Sequence, residues 1–249
     1  MLKLCVIIFS RNETESLFNT FNRILYLSKL RQFKGVISEV FIVDDGSDIE
    51  KKKLVEDFFS KIEDSLFFDL RFVSQAAKGI SKTVSDVLSK SKENVNSILP
   101  LPGHDMFDTE ALCQLIEGSK GGELSIGYRA NLWSERPFLK YVAAKILTLL
   151  YKIFVFPKLI DAHGLYIIPI EIAKKYIKPS GGHEILILPL YMSLKKGIKI
   201  NQIQLNLNPG HLAESLKLGR SKHARVSHII STLKIFVYIL KDKFGFNTD

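Results

Sequence analysis

Val40-Phe41-Ile42-Val43-Asp44-Asp45-Gly46-Ser47 is the stretch on which the fold turns. Four consecutive apolar residues, without alternation, read as a fully buried strand. Two carboxylates follow at once, then a glycine that permits a tight turn. Ser47-Asp48-Ile49-Glu50 has the Ser-x-x-Glu spacing of a capping box and predicts the start of a helix. A buried strand thus carries two adjacent acids to its carboxyl end, the edge at which open α/β sheets bind ligands.

The same unit repeats on either side. Leu2 to Phe9 reads as a first strand, and Ser10-Arg11-Asn12-Glu13 turns out of it. Asn12 is a candidate helix cap, with Glu15 three residues on. Leu17, Phe18, Phe21, Ile24 and Leu25 then recur at helical spacing. Val36 to Val43 is the second strand, followed by a helix with Leu54, Val55, Phe58 and Ile62 on one face. Leu70 to Val73 is a short third strand, and Lys78-Gly79-Ile80 opens a helix with Val84, Val87 and Leu88 inward. Val95 to Leu99 is the fourth strand, closed by Pro100, Pro102 and Gly103; a helix with Leu112, Leu115 and Ile116 leads to a fifth strand, Leu124 to Tyr128. Strands alternating with helices of this length predict an α/β, Rossmann-like, mostly parallel sheet with helices on both faces.

Beyond residue 130 the pattern changes. Phe138 to Phe156 is apolar, but Tyr141, Lys145, Thr148 and Lys152 fall on one helical face. This is the pattern of an amphipathic helix, not a spanning one. Val226 to Leu240 repeats it, with Ser227, Ser231, Lys234, Tyr238 and Lys241 as the polar stripe. Packing on the core and contact with a membrane surface both fit such helices. The expected division is residues 1–222 as the main domain, with a nucleotide-binding half over 1–130 and an acceptor half over 131–222. A C-terminal amphipathic helix over 223–249 completes it.

The chain has 249 residues, 46% hydrophobic and 24% charged, with a formal net charge of +9. That length buries a large core. The charge points to an anionic partner: nucleotide phosphates, nucleic acid or an acidic membrane surface. Lysines beside apolar helical stretches favour the membrane surface, and the absence of a basic recognition helix or aromatic-basic sheet motif argues against nucleic acid. Cys5 and Cys113 both sit in apolar runs and read as buried free thiols, so neither a disulfide framework nor a thiolate zinc site is expected. The apolar run from Leu4 to Phe9 is too short for a signal peptide, and no run of about 18 uncharged apolar residues suggests a spanning helix. A cytoplasmic location, peripheral at the inner face of a membrane, is the expectation.

Several constellations carry possible chemistry. Asp44 and Asp45 can accept hydrogen bonds from a base N–H and a ribose hydroxyl, or simply cap a solvated turn. Gly103-His104-Asp105 sets an imidazole beside a carboxylate, a candidate metal–diphosphate site or a polar turn. Gly127-Tyr128-Arg129, with Trp133 and Arg136 beyond, offers guanidinium groups for phosphate or for surface ion pairs. In Ile160-Asp161-Ala162-His163-Gly164-Leu165-Tyr166 the histidine is read as structural. Glu184, after Gly181-Gly182-His183, is a candidate general base or a first-turn acid favoured by the helix dipole. Gly219-Arg220-Ser221-Lys222 is a basic loop suited to phosphate, or a solvated one.

In their order these motifs resemble the family 2 inverting glycosyltransferases of the GT-A fold. The dolichol-phosphate mannose synthase and polyprenyl-phosphate sugar transferases are the nearest subgroup. Ile8-Phe9-Ser10-Arg11-Asn12-Glu13 is similar to that family's opening Pro-x-Tyr-Asn-Glu segment, and Val43-Asp44-Asp45-Gly46-Ser47 to its second-strand signature. Gly127-Tyr128-Arg129 resembles its Gly-Ser-Arg, Asp161 to Tyr166 its Asp-x-x-Ser-Gly-Phe-Arg region, and Gly219-Arg220-Ser221-Lys222 its Gly-x-Ser-Lys loop. Glu184 with Gly197-Ile198-Lys199-Ile200 resembles the Glu-containing helix and the strand after it.

The resemblance implies that Phe9, Arg11, Glu13, Asp44 and Asp45 surround a nucleoside. It also implies that Gly103, Arg129, Arg220 and Lys222 contact the rest of a nucleotide-diphosphate sugar. The family's Asp-x-Asp falls at Gly103-His104-Asp105, where the first acid is missing. This implies a divalent metal, Mn²⁺ or Mg²⁺, at Asp105 and His104, with imidazole favouring Mn²⁺. The implied reaction moves a sugar with inversion to a polyprenyl phosphate or a glycan. Asp105 would assist the leaving group, and Glu184 would act as base if the acceptor is a hydroxyl. The alternatives are a degenerate, non-catalytic GT-A protein that binds a sugar nucleotide or a partner, a nucleotidyltransferase, and a nucleic-acid-binding module. A nucleotidyltransferase would be expected to carry a Gly-rich, Lys-containing loop after the first strand, which Ser10-Arg11-Asn12-Glu13 is not.

Overall fold

The apolar runs become strands and the periodic segments between them become helices, in the predicted alternation. A computed structural model describes residues 1–62, 66–75, 80–131, 133–134, 138–177, 184–208 and 234–245. Its elements begin with β1 (Leu4–Ser10), α1 (Glu15–Lys29), β2 (Ile37–Asp45), α2 (Ile49–Ser60) and β3 (Asp69–Gln75). Next come α3 (Ile80–Leu88), β4 (Ser97–Pro102), α4 (Thr109–Glu117) and β5 (Leu124–Arg129). Then follow α5 (Phe138–Phe154), β6 (Leu165–Pro169), α6 (Ile170–Tyr176), α7 (Glu184–Lys195) and β7 (Ile200–Leu205). A last helix covers residues 234–243.

The strands form one seven-stranded sheet in the order β3-β2-β1-β4-β6-β5-β7. β1 pairs in parallel with β2 and β4, β2 with β3, and β5 with β7. β6 alone runs against its neighbours, β4 and β5. The order reverses beside β1, with β2 and β3 on one side and β4 on the other. The topological switch point therefore opens between the carboxyl ends of β1 and β4, the position at which α/β sheets take ligands.

Burial on both faces explains the unbroken apolar runs. Leu4, Val6 and Ile8 face one core with Leu17 and Phe21 of α1 and Val55 and Phe59 of α2. Cys5 and Ile7 face the other, with Val84 and Val87 of α3 and Leu190 of α7. Both cysteines are free; Cys5 is buried as expected, whereas Cys113 is only half-buried. In α2 the inward face is Val55 and Phe59, while Leu54, one residue out of phase, is exposed.

β4 extends through the two prolines that were expected to end it, with Pro100 beside Ile7 and Pro102 beside Phe9. Gly103 N–H donates to the Phe9 carbonyl at 2.8 Å. By strand alternation the nitrogens of Pro100 and Pro102 face the opposite side. There β6 pairs only with Ser97 and Ile98, so the missing N–H groups interrupt no ladder.

α5 is amphipathic, but its predicted polar stripe is not uniformly outward: Lys145 is exposed and Tyr141 and Lys152 are half-buried. Thr148, assigned to its polar outer stripe, is buried, and Ile146, Leu149 and Ile153 are exposed. The Thr148 hydroxyl donates to the Ala144 carbonyl at 2.9 Å and accepts from the Ala162 N–H at 3.3 Å, so it is satisfied inside. The helix at 234–243 packs its Phe236 ring against Tyr151 of α5, with centroids 4.8 Å apart. Residues 226–233 of the predicted helix lie outside the described residues. Among the described residues, no helix is long and apolar enough to cross a membrane.

Candidate active site

The carboxyl edge is built by loops that hold one another. Asn12 adopts φ 58°, in the left-handed region that asparagine tolerates better than most residues. Its N–H then donates to Ser47 Oγ at 2.7 Å, its Oδ1 accepts the Asp48 N–H at 2.8 Å, and Lys51 Nζ donates to its carbonyl at 3.1 Å. Asn12 and Ser47 are therefore not the helix caps they were expected to be. The cap positions fall to Thr14 and Asp48, while Asn12 and Ser47 bind the β1–α1 loop to the β2–α2 loop.

The adjacent acids do different work. Asp44 is 3% exposed. It accepts the Ser47 N–H at 3.2 Å, the Ser47 hydroxyl, and the Ser74 hydroxyl at 3.5 Å. It fixes the turn, which Gly46 completes at φ 83°. Asp45 is half-buried and accepts from Gln75 Nε2 at 3.2 Å, and the same amide donates to Thr83 Oγ1 of α3. Phe9 is half-buried at the end of β1 and Arg11 is exposed just beyond it. Phe9, Arg11, Glu13, Asp44, Asp45 and Gly103 thus gather at the switch point.

Gly103 is required by the chain itself. A Cβ there would lie 2.6 Å from the Phe9 carbonyl oxygen and 3.3 Å from Glu13 Oε2. His104 follows, its Nδ1 3.8 Å from Glu13 Oε1. Asp105 is bound away from these groups, to α1. Arg23 Nε donates to its Oδ1 at 2.7 Å and Arg23 Nη2 to its Oδ2 at 3.1 Å. Asn208 Nδ2 donates to the Asp105 carbonyl at 3.2 Å and to Oδ2 at 3.3 Å.

This geometry does not fit the divalent metal implied at Asp105 and His104. A cation there would have to displace a bidentate guanidinium from the single carboxylate, with one imidazole as the other ligand. Hard cations take several oxygen ligands. Among the described residues, no group of three His, Cys, Asp or Glu side chains can hold a metal ion.

Arg129, at the end of β5, was expected to grip phosphate. Its guanidinium is instead enclosed, its side chain 1% exposed, with Nε 2.6 Å and Nη2 2.8 Å from the carboxylate oxygens of Asp161. Asp161 also accepts the His163 N–H at 3.0 Å. Burial alone would raise the Asp161 carboxyl; the Arg129 hydrogen bonds and charge outweigh it and hold the group down at about 2. Two motifs that were separate in sequence are thus one structural unit.

Past β7 the chain crosses this edge. Leu207 N–H donates to Asn131 Oδ1 at 2.7 Å, and Asn208 N–H to the Met106 carbonyl at 2.9 Å. Asn208 therefore lies beside Asp105. Arg220, Lys222 and Arg136 lie outside the described residues. Glu184 is the first residue of α7, and its side chain is outside the description. α7 leads through a short turn into β7, which starts at the far edge, so the Glu184 end of α7 points back toward the carboxyl edge. Trp133 is exposed, edge-on to Phe138 and Tyr141. Sequence reasoning missed Arg23, Gln75 and Asn208, which belong to no motif and matter only through partners far along the chain.

No family model matches the sequence, and no curated protein matches it. Solved structures do. Mannosyl-3-phosphoglycerate synthase from Rubrobacter xylanophilus aligns over 100% of this chain and 77% of its own, with TM-score 0.59 and 13% identity. Residues 1–349 of S. aureus TarS align over 87% of this chain and 64% of that one, with TM-score 0.51 and 15% identity. At such identities the likeness is one of fold: the chain has an α/β fold of the GT-A type, a mostly parallel sheet flanked by helices.

Proposed function

We propose that this chain is a glycosyltransferase that takes its sugar from a nucleoside-diphosphate donor at the β1–β4 switch point. One observation carries the reading. The β1–α1 and β2–α2 loops are bound to each other through Asn12 and Ser47, and this supports a donor site to which Phe9, Arg11, Glu13 and Asp45 contribute. A GT-A fold shared with a mannosyl-3-phosphoglycerate synthase supports it.

In this reading Asp45 accepts hydrogen bonds from the base or ribose, and Asp44 keeps the turn in place. The acceptor oxygen bonds to the anomeric carbon from the face opposite the leaving group, so configuration inverts. The bond from that carbon to the diphosphate breaks, and the nucleoside diphosphate leaves with the electron pair. Arg11, with Arg220 and Lys222 from the segment beyond residue 208, supplies cationic groups for its charge. A polyprenyl phosphate acceptor is already anionic and needs no base. A glycan hydroxyl would give its proton to Glu184. The pairing of Asp105 with Arg23 leaves the metal out of this scheme.

The same pairing, with the enclosure of Arg129, favours a second reading in which the fold binds a sugar nucleotide without turning it over. Incubation with UDP- and GDP-sugars separates the two. Release of the nucleoside diphosphate that rises with added polyprenyl phosphate or oligosaccharide is expected of the enzyme. Binding with no release under any acceptor would establish the second reading.

A further inference from the structure

α5 carries an apolar stripe that no other described residue covers. Ile146, Leu149, Leu150 and Ile153 recur at i, i+3, i+4 and i+7 and are 55%, 55%, 38% and 61% exposed. The opposite face, with Ala144, Thr148, Tyr151 and Val155, is held in the core. Exposed Phe138 and Trp133, ring centroids 6.3 Å apart, extend the apolar surface at the amino end of the helix. Scattered exposed aliphatics are ordinary; a contiguous stripe of them marks a contact surface.

Charge chooses the partner. Lys145 is exposed and Lys152 half-buried along one flank of the stripe, and Lys145 Nζ lies 5.5 Å from the Tyr141 ring. The whole chain carries +9. A symmetric contact with a second copy would set these lysines against a protein of the same net charge, which opposes association. An anionic bilayer attracts them, and its acyl boundary takes the aliphatic side chains. We propose that α5 lies flat on an anionic lipid surface, with Ile146, Leu149, Leu150 and Ile153 inward and Lys145 and Lys152 at the headgroup phosphates. This goes beyond the transferase reading and stands without it.

Flotation of the full chain tests the proposal, using vesicles of phosphatidylcholine alone and of phosphatidylcholine with phosphatidylglycerol in equal parts. The chain is expected to float with the anionic vesicles and to remain below with the neutral ones. The double variant Leu149→Glu, Ile153→Glu should lose at least about tenfold of the bound fraction while keeping the wild-type Tm. If that variant fails to fold, Lys145→Glu takes its place, with a loss of about fivefold expected. The proposal is overturned if the wild type stays below with both vesicles, or if whichever of these variants folds floats as the wild type does. It is equally overturned if the wild type sediments as a dimer that the double variant converts to monomer.

Discussion

Arg129 and Asp161 close a bidentate ion pair inside the protein, 32 residues apart in sequence, with Nε 2.6 Å and Nη2 2.8 Å from the carboxylate. The pair fixes the end of β5 to the segment entering β6. It also settles a pH dependence. The Asp161 carboxyl is held down at about 2 in the folded chain, against an ordinary carboxyl near 3.8. A depressed folded value means stability that is fully present above the unfolded value and lost as pH falls through the folded one. The pair therefore contributes roughly 2 kcal/mol at neutral pH through this linkage, declining between about pH 4 and pH 2. Asp161→Asn should lower the urea midpoint at pH 7, and the difference from wild type should shrink toward pH 2. A difference that stays constant over that range would mean that Asp161 is not ionised in the fold.

Gly164 rests on the backbone of Gly127, in the neighbouring strand. A Cβ at 164 would lie 1.7 Å from the Gly127 carbonyl oxygen, an atom that no side-chain rotation can move aside. Gly164→Ala should cost about 3 kcal/mol or more, by forcing β5 and β6 apart. Gly127→Ala meets the Leu205 side chain at 2.2 Å, which has rotameric freedom, and should cost less. Chemical denaturation of the two variants gives the order directly.

Asp105 joins α1, the β4 loop and the segment leaving β7 through Arg23 and Asn208. Its φ of 49° is tolerated by Asp and Asn but strains alanine. Asp105→Asn should lower stability by about 1 kcal/mol, and Asp105→Ala by about 1 kcal/mol more. Because the carboxylate is committed to Arg23, nucleotide binding should be the same with EDTA as with Mn²⁺. Calorimetric titration of a nucleoside diphosphate in both buffers measures this, and Mn²⁺-dependent affinity lost in Asp105→Asn would restore the metal assignment.

The first 130 residues were legible because parallel strands buried on both faces write themselves as apolar runs such as Val40 to Val43, and the helices between them keep a helical period. Of the later elements, α5 was legible almost to its bounds and α7 began at the expected Glu184, whereas β6 and the burial of Thr148 were not legible. β6 lies against the sheet's direction and follows a segment whose main signal, Asp161, acts chiefly through its ion pair with the distant Arg129. The inward turn of Thr148 depends on two backbone partners that no helical periodicity displays. At the site, the sequence singled out the acids but not their tasks. Asp44 and Asp45 are neighbours of the same chemistry, and only the third dimension shows that one is enclosed by Ser47 and Ser74 while the other faces Gln75.

Nucleoside binding at the β1–β4 switch point is tested most directly by thermal unfolding with UDP, GDP and their sugars. Wild type should be stabilised by at least one diphosphate, by about 2.7 kcal/mol at a hundredfold excess over Kd. Asp45→Ala should abolish that shift while keeping the fold. A wild type that responds to none of these nucleotides would contradict the account.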